Sequence, residues 1–245
     1  MDEMTPIKIL HILPYLHKGG VEAFVMSYFR HINRSRYSFI FLVLGDGNEY
    51  ESEIISLGGI VIHADISFSK AKYLGKNFLK MVKLLKNLDY DIIHSNVNQY
   101  NGLVFLASIL AGKKGFVSHS HGTDFEDSVG SIFRRIVYKG LIYKLTSELS
   151  DVRLACGEKA GMALYNGADF IILRNAVDFS EWSSEKEDVG EELLDKYKIG
   201  RNSNIYTSIS RYDWNKNLTF FVDIFKVIHE MDIHSHMIVG GTPGD

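Results

Sequence analysis

The chain has 245 residues, of which 46% are hydrophobic and 23% are charged, and its formal net charge is −3. The negative net charge gives no support for a nucleic-acid partner. The single cysteine, Cys156, excludes an internal disulfide bond, and its presence alone is compatible with a reducing compartment. No apolar stretch approaches the roughly 20 residues that cross a bilayer. We expect no signal peptide, because the acidic N-terminus is followed only by a strand-length apolar run.

Short apolar segments alternate with amphipathic segments over residues 7–173. The apolar segments predict β-strands at 7–13, 39–44, 60–63, 91–94, 116–119, 152–155 and 171–173. The segments between them predict helices at 21–32, 49–57, 70–88, 102–111, 132–149 and 159–165. Strands that alternate with helices at this spacing form βαβ units, so we expect an α/β fold with a parallel sheet, right-handed crossovers and helices on the faces.

The character of the sequence changes near residue 178. Residues 179–188 are polar and charged, which is typical of a connection between domains. The alternation then resumes, with helices predicted at 191–197 and 218–231 and strands at 205–210 and 236–239. We therefore predict an N-terminal Rossmann-like domain over 1–177 and a linker with the opening βαβ unit of a second domain over 178–245. Two short strands cannot bury both faces of a parallel sheet, so we expect the second domain to be incomplete.

Two glycines, Gly19 and Gly20, lie between the first predicted strand and the first predicted helix. Unpaired backbone N–H groups and the positive end of the helix dipole favour an anion at such a position. A side chain there would hold a phosphate away from the backbone. The pattern indicates phosphate binding, and a plain βα turn is the alternative.

Two cations, Arg211 and Lys216, lie in the loop after the predicted strand 205–210. Open α/β sheets bind ligands beyond the carboxyl ends of their strands. An arginine offers two parallel donors to phosphate oxygens, and a lysine adds a point charge. The pair could therefore clamp a diphosphate, and the alternative is a pair of solvated surface charges.

The order of these motifs resembles that in the retaining glycosyltransferases of family 4, which have the GT-B fold. The cationic loop, the helix after it and the strand that runs into Gly240 and Gly241 resemble the opening of the family's second domain. Gly19 and Gly20 resemble its N-terminal glycine loop. Further similar segments lie at 91–95, 118–122, 149–158 and 173–178. The resemblance implies two Rossmann-like domains with parallel sheets and flanking helices.

The resemblance also implies roles for particular residues. The donor diphosphate would be bound by residues of both domains, namely Gly19, Gly20, Arg211 and Lys216. The nucleotide would be bound at Gly240 and Gly241. His121, in the segment Ser118–Gly122, would be the catalytic residue that contacts or positions the sugar.

The implied reaction transfers a sugar with retention from a nucleotide-sugar donor to a glycan or lipid-linked acceptor, in the cytoplasm and in surface polysaccharide biosynthesis. Cations and fixed donors stabilise the departing diphosphate, so no metal or other cofactor is implied. The family's Glu-x7-Glu pair, which holds the donor sugar and the ribose, does not follow Gly244. We therefore expect this chain alone not to bind the donor fully.

The remaining polar candidates are interpreted as structural. Five histidines are scattered along strands and loops and are assigned to the core or the surface: His11, His17, His63, His94 and His119. We expect His119 and His121 to point to opposite faces of their strand, and we predict no metal site. Cys156 at a strand end is interpreted as a small buried residue rather than a nucleophile.

Two basic amphipathic stretches, 69–86 and 134–144, suggest contact with an anionic membrane surface, with the protein peripheral on the inner face. Ordinary surface helices whose apolar stripes pack on the sheet are the alternative. Two other functions stay open. One is an accessory or truncated subunit that binds a partner glycosyltransferase or a membrane without activity of its own. The other is a nucleotide-sugar epimerase, which would need a carboxylate acid/base pair in the cleft.

Overall fold

The computed structural model describes residues 5–68, 71–112, 115–123, 138–176 and 187–241. The chain divides into two compact units, Met1–Asp178 and Phe179–Asp245. The first contains a seven-stranded sheet and the second a two-stranded sheet. Every strand pair in both sheets is parallel, which confirms the predicted α/β class.

The first unit has the strand order β3-β2-β1-β4-β5-β6-β7. Its strands are β1 (Ile7–Leu13), β2 (Tyr37–Val43), β3 (Ile60–His63), β4 (Ile92–Ser95), β5 (Gly115–Ser120), β6 (Val152–Ala155) and β7 (Ile171–Ile172). Its described α-helices are α1 (Gly20–His31), α2 (Glu51–Ser56), α3 (Leu74–Asn87), α4 (Asn101–Leu110), α5 (Lys144–Leu149) and α6 (Glu158–Tyr165). The order reverses between β1 and β4, so a crevice opens there at the carboxyl edge of the sheet.

The observed elements match the predicted ones in type, with shifts at their ends. The helix predicted from residue 70 begins at Leu74 and follows a 3₁₀ turn at Ala71–Tyr73. Of the helix predicted over 132–149, the described part is a π-helical segment at Tyr138–Tyr143 followed by α5. Residues 132–137 lie outside the described residues.

The core of the first unit lies on both faces of the sheet. Along β2, Ile40 and Leu42 pack into one apolar cluster, while Phe39, Phe41 and Val43 pack into the other. Successive side chains of a strand point to opposite faces. Residues 39–43 of this strand are therefore all apolar, because helices cover both faces of the sheet.

The second unit contains α7 (Glu187–Tyr197), β8 (Ile205–Ile209), α8 (Leu218–Met231) and β9 (His236–Gly240). The two strands pair in register, with Ile205 opposite His236 and Ile209 opposite Gly240. A 3₁₀ turn at Trp214–Lys216 lies between β8 and α8. The cationic loop therefore leaves the carboxyl edge of this small sheet, as the sequence predicted.

Candidate functional site

The site in the first unit lies where β1, β4 and β5 end. His121 follows β5 and is partly buried. Its backbone N–H donates to Oδ1 of Asn98 at 2.8 Å, and its Nε2 lies 2.9 Å from Oδ1 of Asn96. Burial, with a smaller contribution from His94, lowers the pKa of His121 to about 3, so the imidazole is neutral at physiological pH. The candidate catalytic side chain is therefore held firmly and uncharged.

The expectation that His119 and His121 point to opposite faces was wrong. Residues two apart on a strand point to the same face, and the two rings stack with their centroids 4.0 Å apart. Nε2 of His94 lies 3.2 Å from Nδ1 of His119, and His11 lies opposite His94 in the β1–β4 register. These four residues, His11, His94, His119 and His121, form a single histidine cluster. His11 and His119 are buried and His94 is partly buried, and the three are not isolated from one another.

The histidine cluster is largely buried, with His94 and His121 partly exposed, and its four members are neutral. His11 is 4% exposed and His119 is fully buried. Burial is the main cause that lowers the pKa of every member, to about 4 for His94 and well below the usual value for His11. Both ring nitrogens of His11 and Nε2 of His119 are buried without a hydrogen-bond partner among the described residues. The cluster therefore costs stability, and the protein retains it directly beside the crevice.

The glycine loop leads into α1, and Phe24 of α1 packs against the histidine cluster. The centroids of the Phe24 and His121 rings are 5.4 Å apart. Gly19 is the N-cap residue, and a Cβ there would collide with the carboxylate of Glu22. A Cβ at Gly20 would meet nothing within 4 Å. The backbone is thus open at Gly20, whereas a buried carboxylate already lies beside Gly19, a feature that the sequence analysis missed.

A cleft of about 500 Å³ lies at the same edge of the sheet. Aromatic and polar residues contribute to its wall, among them Tyr15, Asp65, Phe68, Asn98, Gln99 and Tyr100. Tyr15 is 51% exposed. Asn98 connects the cleft to His121 through the backbone hydrogen bond described above. The volume is within the usual range of small-molecule sites, about 300–1,000 Å³.

The site residues predicted in the second unit lie at or beyond the carboxyl ends of its two strands, β8 and β9. Arg211 is exposed, and its Nη2 lies 3.4 Å from Oδ2 of Asp213. Lys216 ends the 3₁₀ turn and is exposed. Gly240 ends β9, and the next residue, Gly241, has φ +155° and no room for a Cβ against the Ser210 carbonyl. Glycine at 241 lets the two loops approach closely at this edge.

The basic helix α3 packs its apolar side, including Met81 and Leu85, into the core of the first unit. Four lysines of α3 are exposed: Lys76, Lys80, Lys83 and Lys86. In the second basic stretch, Arg134 and Arg135 lie outside the described residues. Within the described ranges, the protein has no helix long and apolar enough to span a bilayer.

Residues 18–178 match the sequence profile of Glycosyltransferase Family 4. The chain is 26% identical over 243 residues to EpsF of Bacillus subtilis (strain 168), which is named as a glycosyltransferase, covering 96% of this chain and 62% of that protein. It is 23% identical over 228 residues to the capsular polysaccharide biosynthesis glycosyltransferase CapH of Staphylococcus aureus. This match covers 91% of this chain and 58% of that protein. The chain thus spans less than two thirds of the length of either relative.

Two further proteins are similar. An Escherichia coli UDP-Gal:alpha-D-GlcNAc-diphosphoundecaprenol alpha-1,3-galactosyltransferase is 29% identical over 164 residues, covering 64% of this chain and 41% of that protein. The crystal structure of Anabaena Alr3699/HepE in complex with UDP and glucose superposes with a TM-score of 0.71 at 17% identity, covering 95% of this chain and 60% of that one. At this identity, the likeness to the solved structure shows a shared fold.

Proposed function

The chain belongs to glycosyltransferase family 4 and has the GT-B type of fold, and we propose that it transfers a sugar, with retention, from a nucleotide-sugar donor to a glycan or lipid-linked acceptor. The observation that carries the proposal is the neutral His121, which is hydrogen-bonded to Asn96 beside the strand-order reversal between β1 and β4. The relatives support the setting, because CapH is named for capsular polysaccharide biosynthesis. We accordingly propose a role in surface polysaccharide assembly, in the cytoplasm.

The proposed mechanism assigns separate tasks to the residues of each unit. Arg211 and Lys216 neutralise the departing diphosphate, and the loop at Gly240 and Gly241 receives the nucleotide. In the first unit the glycine loop contributes through Gly20, where the backbone is open, because the N–H of Gly19 already donates to the His17 carbonyl at 2.9 Å. Fixed cations and donors lower the barrier by stabilising the leaving group, so the proposal needs no metal ion or other cofactor.

Product analysis tests the proposed function. The protein that contains these residues is incubated with nucleotide sugars and a lipid-linked acceptor. The product is analysed by NMR, and we expect a new glycosidic bond with the anomeric configuration of the donor. An inverted product would refute retention. A well-folded protein that forms no product but binds a partner glycosyltransferase would instead support the accessory-subunit alternative. Membership of a glycosyltransferase family gives no support to the epimerase alternative.

The cleft beside His121 is the proposed acceptor site, because an exposed aromatic ring and side-chain oxygens suit the faces and hydroxyl groups of a sugar. Replacing Tyr15 by alanine removes the exposed ring. We expect the KM for the acceptor to rise about tenfold while the KM for the donor stays constant. Steady-state kinetics with each substrate varied in turn measures this. The matched control is Tyr73→Ala, which removes a ring of similar exposure, 46%, outside the cleft. Equal effects of the two variants would contradict the assignment.

The exposed lysines of α3 support a further proposal, contact with an anionic membrane surface. Lys76, Lys80 and Lys83 recur at intervals of four and three residues and so share one helix face. Attraction to an anionic leaflet contributes roughly 1 kcal/mol for each lysine near the surface. We expect co-sedimentation with anionic vesicles at low salt, and its loss in a Lys76→Glu, Lys83→Glu double variant. The control, Lys196→Glu with Lys226→Glu, makes the same charge change in the second unit. Equal sedimentation with neutral vesicles would rule out electrostatic binding.

A further inference from the structure

Asn96 is a fully buried side chain that contacts the imidazole of His121. Its Nδ2 lies 3.1 Å from the carbonyl oxygen of His94 and 3.4 Å from that of Ile12. Carbonyl oxygens can only accept, so the amide nitrogen must face them. The amide oxygen, which can only accept, therefore faces Nε2 of His121 at 2.9 Å.

This arrangement fixes the proton on the ring. A neutral imidazole carries one N–H, and the hydrogen bond to Asn96 requires it at Nε2. Nδ1 is then left with a lone pair. Among the described residues, no side chain or backbone group hydrogen-bonds to Nδ1, and His121 is only partly buried. Nδ1 is thus the polar atom of the ring left for a ligand.

The ring is also restrained in orientation. The backbone N–H of Asn96 donates to the Ile12 carbonyl at 2.9 Å, which fixes the asparagine to the end of β1. His119 stacks on one side of the His121 ring, and Phe24 approaches it edge-on at 5.4 Å. Rotation of the imidazole would break the hydrogen bond to Asn96 and disrupt both ring contacts.

We propose that Asn96 is a positioning residue that holds His121 as the Nε2–H tautomer and so presents Nδ1 as a hydrogen-bond acceptor to a substrate hydroxyl. The identification of that hydroxyl with a sugar rests on the proposed function, whereas the tautomer does not. A lone pair accepts a hydrogen bond from a hydroxyl and repels a phosphate oxygen. His121 therefore selects the sugar part of a nucleotide sugar rather than its diphosphate.

NMR of the 245-residue chain with ¹⁵N-labelled histidine tests the tautomer directly, with His121→Ala to identify the signals. We expect wild-type His121 to carry its proton at Nε2. Asn96→Ala removes the acceptor, and we expect the Nδ1–H form to appear. Asn96→Asp keeps an acceptor oxygen and adds a negative charge, so both nitrogens should become protonated at a higher pH than in the wild type.

The control for lost stability is Asn101→Ala. Asn101 is equally buried, and it bonds the Ser95 hydroxyl at 2.8 Å and the His119 carbonyl at 3.2 Å without reaching the His121 ring. We expect this variant to lose stability and keep the Nε2–H tautomer. A wild-type ring protonated at Nδ1, or an Asn96→Ala variant that keeps the proton at Nε2 as in the wild type, would overturn the proposal.

Steady-state kinetics of sugar transfer by the protein that contains these residues distinguishes a positioning role of Asn96 from a purely structural one. We expect Asn96→Ala to lower kcat about tenfold and to cause no further loss when His121 is already alanine. A loss of the same size in both backgrounds would overturn the proposed action through His121. Absence of sugar transfer by the wild type would refute the proposed function, while the NMR result would still decide the tautomer.

Discussion

Replacing Arg211 or Lys216 by alanine should lower turnover with a nucleotide-sugar donor about 100-fold in each case. The physical reason is that the diphosphate gains negative charge as the glycosidic bond breaks, and each cation stabilises that charge more in the transition state than in the ground state. Both side chains are exposed, so their removal should leave folding almost unchanged. Single-turnover kinetics of the protein that contains these residues measures the effect on turnover, and thermal unfolding of each variant measures the effect on stability.

The matched control is Arg201→Ala. Arg201 is an exposed arginine of the same unit that pairs with Glu191, away from the loop after β8. This variant should turn over at the wild-type rate. Arg211→Lys keeps the charge and loses the two-pronged geometry, so its rate should lie between those of the wild type and Arg211→Ala. Wild-type rates in both alanine variants would identify Arg211 and Lys216 as solvated surface charges.

Unfolding stability should fall steeply below about pH 6.5 because of the histidine cluster. Each member is neutral in the folded state, with its pKa lowered by burial, and binds a proton near pH 6.5 when unfolded. The unfolded state therefore binds more protons as the pH falls, so stability is fully present above pH 6.5 and is lost below it. The loss becomes less steep near pH 4, where His94 begins to titrate in the folded state, and it continues to about pH 3, where His121 does so. Each group contributes up to about 1.4 kcal/mol per pH unit.

Urea unfolding of the chain at a series of pH values measures this slope. His11→Leu removes one buried histidine whose two ring nitrogens are unpaired among the described residues. We expect a higher stability near pH 5 and a shallower slope, because one fewer proton is taken up on unfolding. A His11→Leu variant with the wild-type slope would show that His11 does not contribute.

Much of the fold could be predicted because it depends on local periodicity. The apolar runs of β1 and β2 and the amphipathic pattern of α3 each identify an element without knowledge of its neighbours. The ends were less predictable, since a 3₁₀ turn at Ala71–Tyr73 satisfies the same pattern as a helical turn. The cationic loop was placed correctly at a strand end because the strand before it is short and clearly bounded.

The histidine cluster could not be predicted with the same tools. His11 and His94 become neighbours only through pairing of β1 with β4, which the sequence does not encode locally. The stacking of His119 on His121 could have been predicted, because two residues that are two positions apart on a strand point to the same face. The contact of Asn96 with His121 and the position of the Glu22 carboxylate beside Gly19 depend on side-chain geometry. We recognised no sequence pattern that predicts them.

The position of β1 in the middle of the sheet has a consequence for how the protein folds. β1 can pair with β2 soon after both are synthesised, but its other edge stays unpaired until β4 is synthesised. The hydrogen bond from the Lys8 N–H to the Asp91 carboxylate joins residues that are 83 positions apart in this way. Such long-range parallel pairing is slow because chain entropy is lost before contacts form. Until residues 92–95 leave the ribosome, the open edge of β1 can pair with another nascent chain. The pairing of β1 with β4 is therefore the step at which aggregation competes with folding.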